Sequence, residues 1–248
     1  MPDKPAAKIR LDALVVERGL AESREKAQRL VGAGQVRVRG AVASKPGQQV
    51  PADSAIEVDA PPRFVSRGGE KLDHALNFFG LSPAGRVCLD VGSSTGGFTD
   101  CLLQHGAARV FAVDVGRGQL HWRLRNDPRV VVLEKVNARY LSAEQIPEPV
   151  DFITVDVSFI SLTKVLPAAI QLSRAGAAAV TLIKPQFEAG RDQVGRGGVV
   201  RDPAVRAGVV AAIREFGERS LKMKWAGVCE SPLRGPAGNI EFLAAWVL

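Results

Sequence analysis

The sequence predicts an α/β chain: a doubly wound, mainly parallel sheet preceded by a small basic α/β module. Three observations carry that expectation. From about residue 70 to Leu248, short apolar runs rich in Val, Ile and Leu alternate with helical stretches. A glycine-rich turn, "DVGSSTGG", joins the first of these runs to a helix. Residues 1–60 follow another pattern, with two short helical stretches and then short strands interrupted by Pro and Gly.

The elements follow in order. Ile9, Leu11, Leu14 and Val15 recur at helical spacing, and Gly19 marks the stop of that first helix. Ser23 is placed to cap a second helix, "REKAQRLVGAG", whose Ala27, Leu30 and Val31 share a face and which ends at Gly34. "QVRVRG" alternates like a strand and turns at Arg39-Gly40. Arg24, Lys26, Arg29, Arg37, Arg39 and Lys45 make the module basic from helix to turn. Residues 61–69 form a connector, stiffened by Pro61-Pro62, loosened at Gly68-Gly69, and bearing Arg63 and Arg67 as candidate RNA contacts. Phe64 within it is expected to pack. Residues 70–248 then give a helix near 70–80 and strands near 86–91, 108–114, 129–134, 150–156, 177–184, 223–230 and 240–247.

Bulk properties narrow the function classes. A length of 248 residues supports one large unit and one small one, and the 46% hydrophobic and 24% charged fractions are those of a globular protein. The net charge of +7, from 33 basic and 26 acidic side chains, favours an anionic partner. Cys88, Cys101 and Cys229 are sparse and show no CxxC spacing, as expected of reduced thiols in the cytoplasm. His74, His105 and His121 lack ligand spacing, so no metal is expected. The opening "MPDKPAAKIR" lacks the apolar core of a signal peptide. No apolar run approaches the roughly 20 residues that span a bilayer.

The chemistry begins at the glycine turn. Its Gly-x-x-x-Gly-Gly spacing (Gly92, Gly96, Gly97) differs from the dinucleotide fingerprint and lacks the Lys-Ser/Thr ending of a phosphate loop. Asp90 stands just before the loop, and Asp114 ends the next strand, where a carboxylate suits ribose hydroxyls. An acid at this place also favours a cationic ligand over a pyrophosphate. The pattern resembles class I (Rossmann-like) S-adenosylmethionine-dependent methyltransferases. The resemblance implies S-adenosyl-L-methionine as cofactor. Gly92, Ser93, Ser94, Thr95, Gly96 and Gly97 would line its methionine half, with Asp90 and Phe98 also at the cofactor, Asp114 at the ribose, Asn137 near the adenine and Asp156 near the methyl group.

"DVSFISL" follows the fourth strand and lacks the Pro-Pro-aromatic segment of amino-nitrogen methyltransferases, and no Cys lies nearby for carbon-5 pyrimidine chemistry. Asp156 and Lys184 both end predicted parallel strands, at the rim where ligands gather in open sheets. Glu241 opens the last strand and reaches the same rim if that strand is antiparallel, while Lys71 opens the helix before the first strand. The set Lys71, Asp156, Lys184 and Glu241 matches the pattern of FtsJ-related ribose 2′-O-methyltransferases. The first unit resembles an S4 RNA-binding domain. With "SRGGEKL", "IKPQFE", "VGRGGVVRD" and "GNIEF", the chain is similar to the TlyA family nearly throughout. That similarity implies methylation of cytidine 2′-hydroxyls in ribosomal RNA, with ribosomal subunits as partners. The sparse cysteines and the lack of an apolar leader or spanning run add the expectations of a cytoplasmic location and no membrane partner. The sequence leaves the oligomeric state open, and a monomer is taken as the expectation. Lys184 would be nearest the hydroxyl, Asp156 and Glu241 would position the lysines, and Lys71 would meet the ribose or phosphate.

"EAGRDQVGRGGVVRDP", with Arg191 and Arg196, reads as a basic lid over the RNA. His121 and Trp122 are expected to pack. Two competing functions remain at this point: a non-catalytic RNA-binding or ribosome-assembly factor, and a membrane-lytic protein, the activity implied by an older hemolysin label of the family.

Overall fold

In the computed structural model, which describes residues 7–60 and 62–248, the chain divides into two compact units, Met1–Pro62 and Arg63–Leu248. Pro61 of the expected connector and residues 1–6 of the opening segment lie outside the described residues.

The first unit runs β1 (Lys8–Arg10), α1 (Leu11–Glu17), α2 (Arg24–Gly32), β2 (Val36–Val38), β3 (Ala41–Val42), β4 (Gln49–Pro51) and β5 (Ile56–Val58). Ser23 caps α2, its Oγ accepting the Lys26 N–H at 3.2 Å. Ile9 departs from expectation. Its helical spacing with Leu11 and Leu14 is coincidental, because Ile9 sits in β1 and pairs with Val50 of β4. Strands β3-β2-β5 form a second small sheet, turned at Arg39-Gly40 with both residues at positive φ, 53° and 80°. Leu11, Leu14, Val15, Ala27, Val31 and Val36 are buried together as its core.

The second unit comprises α3 (Gly68–Phe79), β6 (Val87–Val91), α4 (Gly97–Gln104), β7 (Arg109–Asp114), α5 (Trp122–Arg125), β8 (Val130–Glu134), β9 (Val150–Val155), α6 (Leu162–Ile170), β10 (Ser173–Ile183), α7 (Pro185–Glu188), α8 (Pro203–Ser220), β11 (Lys224–Glu230) and β12 (Phe242–Val247). The sheet order is β11-β12-β10-β9-β6-β7-β8. The five strands from β10 to β8 are parallel, and β12 and β11 are antiparallel additions at one edge. Leu72, Leu76 and Leu102 of α3 and α4 pack with Phe152 in one core cluster, and Val165, Leu166 and Ile213 of α6 and α8 pack with Trp246 in another. The fully buried Trp246 keeps its indole N–H satisfied by Thr181 Oγ1 at 3.0 Å.

Two details position the site. The chain order reverses between β6 and β9, so the crevice at their carboxyl ends is the switch point where open sheets bind ligands. Gly68-Gly69 do not loosen the connector, because they form the first turn of α3. A Cβ on Gly69 would lie 2.3 Å from Phe64, which is buried, so glycine there permits close packing.

Candidate active site

Strand register brings three of the four predicted polar residues to one rim, and α3 supplies the fourth. Ile183 pairs with Phe242 across the antiparallel β10–β12 ladder, so the next positions, Lys184 and Glu241, face each other beyond it. Thr181 pairs with Val155 in the parallel β9–β10 ladder, and Asp156 leaves that strand end one residue on. Lys71 comes from the first turn of α3.

The four side chains form two ion pairs. Lys184 Nζ lies 2.5 Å from Asp156 Oδ1, too obliquely for hydrogen-bond geometry, and donates to Ser158 Oγ at 3.0 Å. Lys71 Nζ donates to Glu241 Oε2 at 2.6 Å. Both lysines are largely buried, with side-chain exposures of 10% and 12%, and Glu241 is at 1%. Buried charges of this kind persist only when paired. Glu241 Oε1 accepts from Gln186 Nε2 at 3.0 Å.

Beside the pairs, two hollows meet at Gly92. One, of about 260 Å³, is bounded by Lys71, Ser93, Ser94, Thr95, Gly97, Phe98 and Asp156. The other, of about 270 Å³, is bounded by Val113, Asp114, Val136, Asn137, Val157 and Ile160. A polar hollow adjoining a more apolar one at Gly92, the latter carrying an acid, fits an amino-acid half and a nucleoside half of one ligand. S-adenosylmethionine has that division, so the residues present suit it. Asp114 accepts the Ser94 N–H at 2.8 Å and the Gly116 N–H at 2.7 Å, which fixes its carboxylate at the second hollow. Gly92 has φ +86°, and a Cβ there would strike the Asp156 carbonyl at 2.3 Å.

Two residues expected at the cofactor lie elsewhere. Asp90 is fully buried and accepts the hydroxyls of Thr99 at 2.6 Å and Thr154 at 3.0 Å, so it supports the loop from behind. Burial pushes its carboxyl up to about 7. Gly96 faces away from both hollows, where a Cβ would meet Leu124 at 2.2 Å.

The candidate RNA contacts also divide. Lys26, Arg29, Arg39, Lys45, Arg67, Arg191 and Arg196 are exposed. Arg24 is exposed but held through Nε by the buried Asp12, and Arg37 is half-buried on Asp59. Arg63 pairs with Asp73 at 2.7 Å. The stretch read as a lid is anchored at its far end. The buried Asn239 donates to the Gly198 carbonyl at 2.8 Å and accepts the Val200 N–H at 2.9 Å.

Sequence reasoning missed several features. Trp122, expected to pack, is 65% exposed. Phe159 is 91% exposed with φ +63°, an uncommon conformation for a bulky side chain, and its ring lies 5.0 Å from Phe187 beside Lys184. Ser158 and Gln186 belong to the quoted segments "DVSFISL" and "IKPQFE", but linear spacing gave no sign that they contact the lysine and the glutamate. Asp73, Cys101 and His105 bring ligand-type atoms within 4.8 Å of one another despite lacking sequence spacing. Asp73 is already shared at 2.7 Å with both Arg63 and His105, so the cluster is held together by an Arg63 ion pair and a His105 hydrogen bond. No helix among the described residues is long and apolar enough to cross a membrane.

Comparison with known proteins places the chain among characterised families. Residues 64–247 match the FtsJ-like methyltransferase model and residues 9–56 match the S4 domain. The chain is 52% identical to the 16S/23S rRNA (cytidine-2′-O)-methyltransferase TlyA of Mycobacterium tuberculosis, over 96% of this chain and 89% of that one. It is 43% identical to hemolysin A of Brachyspira hyodysenteriae, over 97% of this chain and 100% of that one. A solved structure from Streptococcus thermophilus, provisionally named a hemolysin, superposes with TM-score 0.75 at 42% identity, covering 97% of this chain and 88% of that one.

Proposed function

The chain belongs to the FtsJ-like methyltransferase family, and from that premise we propose that it methylates cytidine 2′-hydroxyls of ribosomal RNA from S-adenosylmethionine. The observation that carries this reading is the pair of buried ion pairs, Lys184–Asp156 and Lys71–Glu241, beside a hollow shaped for the donor. When bound, S-adenosylmethionine supplies a methyl group already activated on a sulfonium. Serines 93 and 94 and Thr95 would hold its amino-acid half, Asp114 its ribose and Asn137 its adenine.

The protein's own residues then have two tasks. They must hold the ribose oxygen in line with the methyl carbon, and they must accept one proton. Lys184 is the group that meets the hydroxyl. As the new C–O bond forms, the hydroxyl proton passes to Lys184 Nζ, which must first release its own proton to solvent and enter the step as the neutral amine. Asp156 at 2.5 Å neutralises the charge the lysine then carries, and Ser158 fixes its direction. Lys71, held by Glu241, places a second cation near the sugar or its phosphate. The exposed Phe159 offers an aromatic face to a nucleobase at the same rim.

The basic surface of the first unit supports binding of structured RNA through its phosphates. Its partners are then ribosomal subunits, which puts the work in the cytoplasm. All four polar groups come from one chain, in keeping with a monomer. The test is transfer of tritium from labelled donor to ribosomal RNA. Wild type transfers label, and Lys184→Ala loses roughly 10²–10⁴-fold in rate with its circular dichroism unchanged. Full activity in Lys184→Ala would remove the lysine from the mechanism.

A further inference from the structure

We propose that Gln186 is a positioning residue for methyl transfer, fixing the Glu241 carboxylate and, through it, the Lys71 ammonium. The inference rests on the methyl-transfer reading above. It concerns a residue outside the two ion pairs.

Glu241 is closed to solvent, so its partners must come from the protein. Its two oxygens are divided between two donors, Oε2 to Lys71 at 2.6 Å and Oε1 to Gln186 Nε2 at 3.0 Å. A third neighbour leaves no spare room, since a Cβ on Gly235 would lie 2.5 Å from Oε1. Rotating the Gln186 amide would set oxygen against oxygen, so hydrogen bonding dictates that Nε2 faces Glu241.

The other end of the amide is informative. Gln186 Oε1 is buried and has no hydrogen-bond partner among the described protein atoms. An unpaired buried carbonyl is unfavourable, and Met or Leu would fill a slot of this size without that cost. Packing therefore does not account for an amide here, whereas the bond to Glu241 does. The position in the chain gives the bond its consequence. Lys184 is the N-cap of α7, the buried Pro185 occupies its first turn, and Gln186 follows. One short turn thus carries the lysine that meets Asp156 and the amide that meets Glu241. Gln186 ties the Lys71–Glu241 pair to the turn bearing Lys184, which sets the spacing between the two lysine nitrogens. Without it, Glu241 keeps Lys71 alone and turns with it.

The test compares Gln186→Met with wild type in steady-state methyl transfer to ribosomal RNA. Methionine keeps the volume and removes the donor. Expected is a fall in kcat per folded molecule of about tenfold or more, with KM for RNA and for donor within about twofold and a modestly lowered melting temperature, since one buried Glu241 oxygen loses its donor. Gln186→Glu supplies a readout that packing would not move. It sets a second carboxylate against Glu241, and only a shared proton restores the bond. Its rate deficit relative to wild type therefore shrinks as pH falls. Wild-type kcat in Gln186→Met overturns the proposal, as does a lowered melting temperature with unchanged rate per folded molecule. If Gln186→Met does not fold, a pH-independent deficit in Gln186→Glu overturns it. A wild-type enzyme that transfers no methyl group would sink the underlying reading instead, so the two failures are distinguishable.

Discussion

Lys71 and Glu241 are each tolerable inside the protein only because of the other. Removing the lysine as Lys71→Met leaves a carboxylate at 1% exposure with a single neutral donor, Gln186. Breaking a buried pair from one side costs about 3–5 kcal/mol. Denaturant unfolding of Lys71→Met should show a loss of that order, and Lys71→Met combined with Glu241→Gln should recover much of the stability and none of the activity. Asp90 gives a pH prediction. Burial holds its folded carboxyl at about 7 against an ordinary value of 3.8. The folded state therefore retains a proton that the unfolded state releases, and stability from this residue falls as pH rises from about 4 to about 7. Asp90→Asn should flatten the decline in melting temperature over that window, and an unchanged slope would show that Asp90 is ionised in the fold. Asp12 acts in the opposite sense. Hydrogen bonds led by Arg10 hold its carboxyl well below the ordinary range, so the stability it contributes is lost as pH drops through and below about 4.

At the scale of elements, the β6–α4 turn and the β9 end are fitted to each other. A side chain at Gly92 meets the backbone of Asp156, which cannot move without displacing the partner of Lys184. Gly92→Ala should therefore weaken donor binding by calorimetry and lower activity together, with a stability loss of about 2 kcal/mol from the positive φ and the clash. Retained donor affinity would contradict this account of the turn. Much at this scale was legible in the sequence. The strands announced themselves because those buried on both faces read as apolar runs, and the glycine loop because tight turns restrict residue choice. The antiparallel β12, needed to bring Glu241 to the rim, was posed as a condition and is met. What escaped depends on partners distant in the chain. Ile9 shows helical spacing but pairs with Val50, and Gly68-Gly69 look like a hinge until Gly68 is seen near Gly97 and Phe98 of α4. Asp90 precedes the loop in sequence yet points at Thr99 and Thr154, because alternate residues of a strand face opposite sides. The bonds of Gln186 and Asn239 join segments far apart along the chain, and no local pattern encodes such contacts.

For the whole molecule, the dominant quantity is its charge of +7 and the exposed arginines and lysines that carry it. If these residues bind phosphates, log affinity for ribosomal RNA falls linearly with log salt, by roughly 10³ or more between 50 and 200 mM for six or more contacts. Filter binding across that range measures the slope, and a flat response would take phosphate contact out of the account. In the proposed mechanism charge brings RNA to the enzyme but does not choose the atom that is methylated, and that choice falls to the two ion pairs at the end of the sheet. The most direct measurement is therefore nucleotide-resolution mapping of methyl groups on ribosomal RNA incubated with donor and either wild-type protein or Lys184→Ala. The account predicts new methyl groups on cytidine ribose 2′-oxygens with the wild type alone; methyl groups on a base, or equal ribose methylation by both proteins, would contradict it.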